Sequence, residues 1–368
     1  LPINRGRYNF DRFHIDFYRD ETVLIEALKA GEVDVRQETS AKAWATAYDI
    51  AAVAAGRLIL QEFPHQRPTG MKAFWFNTRR GNLADRRVRQ ALAYAFDFEW
   101  TNATLFHGLF ARTTSFFSNS ELASVGLPSG RELEILEEYR GRIPAAVFTT
   151  PYQPPATNGS GQIRANLRTA RNLLAAAGWR VVDNALVNTA SGERLALEFM
   201  LHNSAAEQYV IPMIGNLERL GVAATVRTVD RAQYQQRVHQ YDFDIVVNNR
   251  GQSESPGNEQ THFWHSSAAQ EPGSSNLSGI ADPVVDELIG RLIAAPGRAE
   301  LVATTRALDR VLLHHHLVIP HWHARALRTV RWDKFGQPAA TPPFLRNRFF
   351  VTTWWHDAER AARLEANN

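Results

Sequence analysis

The chain has no cysteine in 368 residues, which excludes disulfide staples and thiol nucleophiles and fits a reducing or an oxidising compartment equally. No apolar run approaches the roughly 18 residues that a bilayer crossing requires, so no membrane-spanning segment is expected. A dominant charge is missing as well. The 41 Lys and Arg stand against 38 Asp and Glu, for a net charge of +3. The arginines are scattered among acids instead of gathered into a tract that could follow phosphates, and nucleic-acid binding is not expected. Catalytic signatures are also absent: the sequence has no GxSxG, SxxK, HExxH or HxxEH, and no GxxxxGK[ST] follows a strand-like run. The opening Leu1-Pro2-Ile3-Asn4 has neither an initiator Met nor a basic region ahead of an apolar stretch. A targeting signal is therefore expected to be absent or already removed.

What is present reads as an ordinary globular chain, 44% hydrophobic and 21% charged, long enough for two domains or one two-lobed unit. Phe13, Ile15 and Phe17 alternate like a strand. Asp20 is placed to cap a helix carrying Val23, Leu24, Ala27 and Leu28 until Gly31 stops it, and Val33 and Val35 open another strand. Met71 to Asn77 form an aromatic strand, and Asp85 caps a helix with Val88, Leu92, Ala95 and Phe96 on its apolar face. Asp97 or Thr101 caps a further short helix. From Ser115 to Pro155 the periodicity fades into Pro, Gly and Ser. Strands and helices then alternate from a helix closed by Gly178 through "YDFDIVV", which predicts crossovers and a mixed sheet in an α/β fold. Two more helices, an extended return from Trp322 and a polar tail complete the pattern.

The stretch from His314 to His323 holds five of the thirteen histidines. His321 and His323 are two apart, so on a strand they share a face, as metal ligands do. A metal site also needs further convergent ligands, and only Asp309 and Asp333 lie nearby as carboxylates. The plainer reading makes these histidines and Trp322 the lining of a half-buried strand.

The motifs "YRDETVLIEALKAGEVDV", "FNTRRGNLADRRVRQALAYAFDFEWTN", "ARNLLAAAGW", "NLERLGVAATVRTVDRAQYQQRVHQYDFDIVV", "SPGNEQTHFW" and "IPHWHARALRTVRWDKFG" follow one another along the chain. In that order they resemble the extracellular solute-binding proteins of family 5, the oligopeptide and dipeptide receptors of ABC importers, and within them the YejA-type branch. The resemblance implies a type II periplasmic-binding-protein-like α/β fold with a mixed sheet flanked by helices. It divides the chain into an interlobe linker (1–21), a second ligand-binding lobe (22–325) and a C-terminal segment (326–368) returning to a first lobe that lies outside this sequence. On that division Phe344, Phe349, Phe350, Trp354 and Trp355 could form an uncovered apolar patch.

The resemblance also implies a function. A periplasmic receptor of this type binds peptides or peptide-like solutes without catalysis, metal or cofactor, and delivers them to an inner-membrane ABC permease. The full-length receptor is expected to be a monomer that does not span the membrane. Relatives place cleft residues after the strand "FDIVV", where this chain reads "NNRGQSESPGNEQTHFW". Arg250 is the candidate for a ligand carboxylate, which its planar fork suits. Relatives of the oligopeptide type hold the ligand ammonium with an Asp near the position of Gln252; an amide cannot supply that charge, and Glu254 is the alternative. Trp75 and Trp264 are candidate pocket walls. Asn77, Asn258 and His323 complete the expected ligand contacts, with His321 and His323 toward the hinge side of the cleft. Two other readings stay open at this level: a peptide or amide hydrolase using the histidine cluster, and a chaperone-like peptide scaffold.

Overall fold

A computed structural model describes residues 2–366. Its contacts divide the described residues into two compact units, one of residues 2–67, 106–109 and 324–366, the other of 68–105 and 110–323. Residues 22–67, expected to belong with the long segment up to 325, thus group with the C-terminal segment.

The smaller unit is built on a three-stranded antiparallel sheet in which Ala326–Trp332 lies between Val35–Glu38 and Leu58–Pro64. The helix Glu21–Lys29 starts where expected, because the Asp20 carboxylate accepts from the backbone N–H of Thr22 and Val23 at 2.7 and 3.1 Å. Its Ile25 and Leu28 pack with Tyr48, Leu58, Val330 and Trp332. A second cluster holds Phe63, Phe335, Leu345, Phe349, Phe350 and Trp354. Three of the five aromatics expected as a patch are therefore core, while Phe344 and Trp355 remain exposed. The strand expected at Phe13–Phe17 does not form, and Phe17 is 89% exposed. Alternation gives a segment two faces, but a strand also needs a neighbour to pair with, and none of the described residues takes that place.

The larger unit contains a five-stranded sheet in the order Val318–Pro320, Met71–Phe76, Ile245–Arg250, Ala196–Leu201, Ala223–Thr228. Met71–Phe76 runs antiparallel to both its neighbours, and Ala196–Leu201 runs parallel to both of its own. This is the mixed sheet that the alternating elements predict. Both faces of the aromatic strand are buried, which is why it lacks polar alternation. Met71, Ala73 and Trp75 join the cluster formed with the helices Pro283–Ile293 and Arg298–His314. On the other face Phe74 meets Phe96, Phe199 and Tyr209, and each buried Phe contributes about 2–3 kcal/mol before entropy. Asp97, not Thr101, caps the helix Phe98–Leu105, accepting from Trp100 N at 3.0 Å. Gly178, at φ +86°, ends the helix Arg164–Ala176 in the left-handed region that a side chain would disfavour.

The segment after Ser115, where periodicity fades, is ordered by two neighbouring residues of the helix Arg298–His314. Asp309 accepts from Phe116 N at 2.8 Å with one oxygen, and from Ser124 N at 2.9 Å and Ser124 Oγ at 2.6 Å with the other. Arg310 donates to Glu132 Oε1 at 2.7 Å, Gly126 O at 2.7 Å and Val125 O at 3.2 Å. Local sequence carries no sign of either anchor, because each joins positions well over a hundred residues apart.

Candidate functional site

The strand Ile245–Arg250 delivers Arg250 to its end, and the chain then loops through Gln252 into the short helix Glu259–Trp264. Arg250 donates through Nη2 to Ser275 O at 2.7 Å. Its Nε is shielded from solvent without a partner. The guanidinium carbon lies 4.4 Å from the Phe263 ring centre and 6.0 Å from that of Trp75, within cation–π range. Burial lowers its pKa to about 10, so the group is still a cation at neutral pH.

Trp75 and Trp264 stack, centroids 5.7 Å apart and 18° from parallel, with Phe116 edge-on to Trp264 at 4.8 Å. Both indoles are essentially inaccessible. The two residues expected as pocket walls thus form a buried aromatic base beside Arg250. Trp75 Nε1 donates to Asn248 O at 3.0 Å, and Trp264 Nε1 donates to Gln260 Oε1 at 3.1 Å. Gln260, fully buried, in turn donates through Nε2 to Gln252 Oε1 at 2.8 Å and Glu259 Oε1 at 3.1 Å. Glu259 brackets Gly257 N with both oxygens, at 3.0 and 3.1 Å. The chain of contacts ends at Gln252 Nε2, which is shielded from solvent and has no partner.

Four expected residues, Trp75, Arg250, Gln252 and Trp264, therefore belong to one connected group. Gln260, Phe263 and Ser275 were not foreseen. The four-residue spacing of Gln260 and Trp264 on a helix is the signal that could have linked those two; Ser275 sits in a loop and left none. Glu254 is half-buried, and its carbonyl accepts from Arg298 Nη1 at 2.5 Å. Asn258 is exposed ahead of the helix and makes no side-chain capping bond.

Asn77 and the histidines lie elsewhere. The Asn77 amide is buried and donates to Tyr241 O and Phe243 O, both at 2.9 Å, while its oxygen accepts from Arg79 Nη1 at 3.0 Å. Its hydrogen-bonding capacity is spent inside the fold, which corrects its assignment as a ligand contact. Asn77→Ala should lower stability by about 2–4 kcal/mol, since two buried carbonyls lose their donor. Urea unfolding checks this.

His321 is fully buried among Phe74, Phe96, Tyr209 and Trp322, with no hydrogen bond at either ring nitrogen. Burial, then the charges of Lys72 and Arg112, hold its pKa well below the usual value. It does not face a cleft, contrary to expectation. His323 pairs with Ala111 across two short strands and shares a 3.1 Å contact between its Nδ1 and Thr113 Oγ1. Among the described residues no three His, Cys, Asp or Glu side chains gather to hold a metal, and no helix is long and apolar enough to cross a membrane.

The family model of the bacterial extracellular solute-binding proteins, family 5 (middle part), matches residues 4–271. The chain belongs to this family. It is 44% identical over 357 residues to a probable peptide-binding protein YejA of Agrobacterium fabrum, covering 96% of this chain and 58% of that protein. Over 365 residues it is 38% identical to YejA of Escherichia coli, covering 99% of this chain and 60% of that one. A peptidoglycan-binding protein YepA of Agrobacterium fabrum matches at 34% identity, with 96% and 58% covered. The YejA-type resemblance thus holds, and the chain spans 58% of the length of the first of these relatives. The oligopeptide-binding protein AppA of Bacillus subtilis, solved with a nonapeptide, superposes with a TM-score of 0.65 at 17% identity, covering 92% of this chain and 58% of that structure. The shared fold is that of type II binding proteins, as expected.

Proposed function

We propose that this chain is the ligand-binding part of a periplasmic receptor that takes up peptides or peptide-like solutes, performs no chemistry on them and passes them as a monomer to an inner-membrane ABC permease. The carrying observation is Arg250, a cation set against Phe263 and Trp75, with its own Nε and the nearby Gln252 Nε2 both lacking an acceptor. Buried donors without partners cost free energy, and a ligand carboxylate or carbonyl oxygen relieves that cost. The relatives' names, peptide-binding and peptidoglycan-binding, support a peptide-like ligand. Main-chain amides are common to every peptide, so contacts to them give breadth while a charge anchor fixes register.

Mass spectrometry of the purified protein should find co-purified short peptides or peptide-like molecules. Calorimetry should show Arg250→Ala weakening their binding by roughly 10–100-fold, the worth of a charged hydrogen bond. The ligand should be recovered intact after prolonged incubation. Absence of any bound or bindable peptide, or turnover of one, would sink this reading.

A further inference from the structure

The contact chain from Trp264 to Gln252 has a direction that no amide flip can reverse. An indole N–H donates and cannot accept. Gln260 must therefore turn its oxygen to Trp264, 3.1 Å away, and its NH2 toward Gln252 and Glu259. Both hydrogens of that NH2 are used, and Glu259, a carboxylate, can only accept, which fixes the same orientation independently. Gln252 is left with one choice: its oxygen receives Gln260, because turning its own NH2 inward would set two donors 2.8 Å apart. The end of Gln252 that is not committed is its Nε2, and that nitrogen is shielded from solvent and unpartnered. Two residues earlier in the chain, Arg250 has an Nε in the same condition. Side-chain amides are ambiguous by themselves; here a donor-only group at one end and an acceptor-only group beside it remove the ambiguity.

We propose that the Trp264–Gln260–Gln252 relay fixes Gln252 as a hydrogen-bond donor, so that this site selects a ligand acceptor oxygen, a carboxylate above all, and rejects an ammonium. Gln260 acts as a positioning residue: it sets the polarity that Gln252 presents. The ligand's amine, where it has one, lies away from Gln252. This inference rests on the peptide-binding reading for its ligand, but the relay itself can be tested without one.

The test uses trialanine, its C-terminal amide and N-acetyl-trialanine with the chain as it is. Calorimetry should give trialanine at least tenfold tighter binding than the amide, with N-acetylation changing affinity less than threefold. Gln252→Glu keeps an oxygen toward Gln260 but turns a second one to the ligand, so the preference should invert in favour of the amide. Gln260→Leu releases Gln252 to rotate, and the acid-to-amide ratio should fall toward one; a merely structural role would weaken all three probes by the same factor. Thermal melts establish that each variant is folded. Equal affinity of the wild type for acid and amide, an unchanged ratio in Gln252→Glu, or acetylation that weakens binding more than amidation does would overturn the proposal. If the wild type binds none of the probes, it is the peptide reading that fails. The relay then stands or falls on side-chain amide hydrogen exchange by NMR, where Gln260, with both NH2 hydrogens bonded, should exchange measurably more slowly than Gln252, whose NH2 is shielded but unbonded. Equal protection of the two amides would end it.

Discussion

Asp309→Ala should destabilise the larger unit by about 3–5 kcal/mol, because it strands the buried backbone N–H of Phe116 and the half-buried N–H of Ser124. Asp309 is wholly buried and serves both N–H groups and the Ser124 hydroxyl. Urea unfolding of the variant should show the loss as a lowered midpoint. The same residue gives a pH dependence. Burial raises its pKa to about 6, against the opposing pull of the Ser124, Ser115 and Phe116 hydrogen bonds. A carboxyl whose folded pKa lies above its unfolded value keeps its proton longer in the folded chain. Its contribution is therefore complete below about pH 4 and is lost as pH rises through about 6, a change on the order of 3 kcal/mol. Asp309→Asn cannot titrate. The difference in unfolding free energy between wild type and this variant should shift in the variant's favour as pH rises from 4 to 6, then level off; a difference flat across that range would contradict the assignment.

Glu132→Ala should be equally severe, at about 3–5 kcal/mol, since it removes the acid from a buried pair and leaves the Arg310 cation behind. Arg310 is 1% exposed and its pair with Glu132 measures 2.7 Å. Charge is the problem there, more than volume. The double variant Glu132→Leu with Arg310→Met should therefore recover most of the loss, stopping about 1–2 kcal/mol short because Gly126 O and Val125 O no longer receive the guanidinium. A double-mutant cycle by chemical denaturation measures the coupling directly. Additive losses would show that the pair does not act as a unit.

These anchors mark where sequence reasoning stopped. Nothing in the loop-like composition after Ser115 reveals that Asp309 and Arg310 hold it in place, since a polar residue on a helix looks alike whether it faces solvent or a distant loop. The role of Asn77 is hidden from local sequence for a related reason. The residue ends an aromatic strand where ligand contacts were expected, but its neighbours in space are the carbonyls of Tyr241 and Phe243, 164 and 166 residues away in the chain. The histidine run misled in the same way: His321 and His323 share a strand spacing, and only packing shows that one of them is sealed among aromatic rings.

The sequence by itself determined the local features: the helix starts at Asp20 and Asp85, the glycine stop at Gly178, the buried strand Met71–Phe76, the mixed α/β alternation, and through the order of its motifs the family. All of these depend on period, capping chemistry and composition within a window of a few residues, where side chain and backbone interact without help from elsewhere. Tertiary structure alone decided that Phe13–Phe17 pairs with no strand among the described residues, that Trp75 and Trp264 stack instead of lining a pocket, and that Gln252 offers a donor. A strand exists only with its neighbour, an indole is wall or core according to what covers it, and an amide acquires a direction only from the groups it faces. Pairing, burial and hydrogen-bond polarity are properties of residues in contact, whether near in the chain, as Gln252 and Gln260 are, or far apart in it, as Trp75 and Trp264 are.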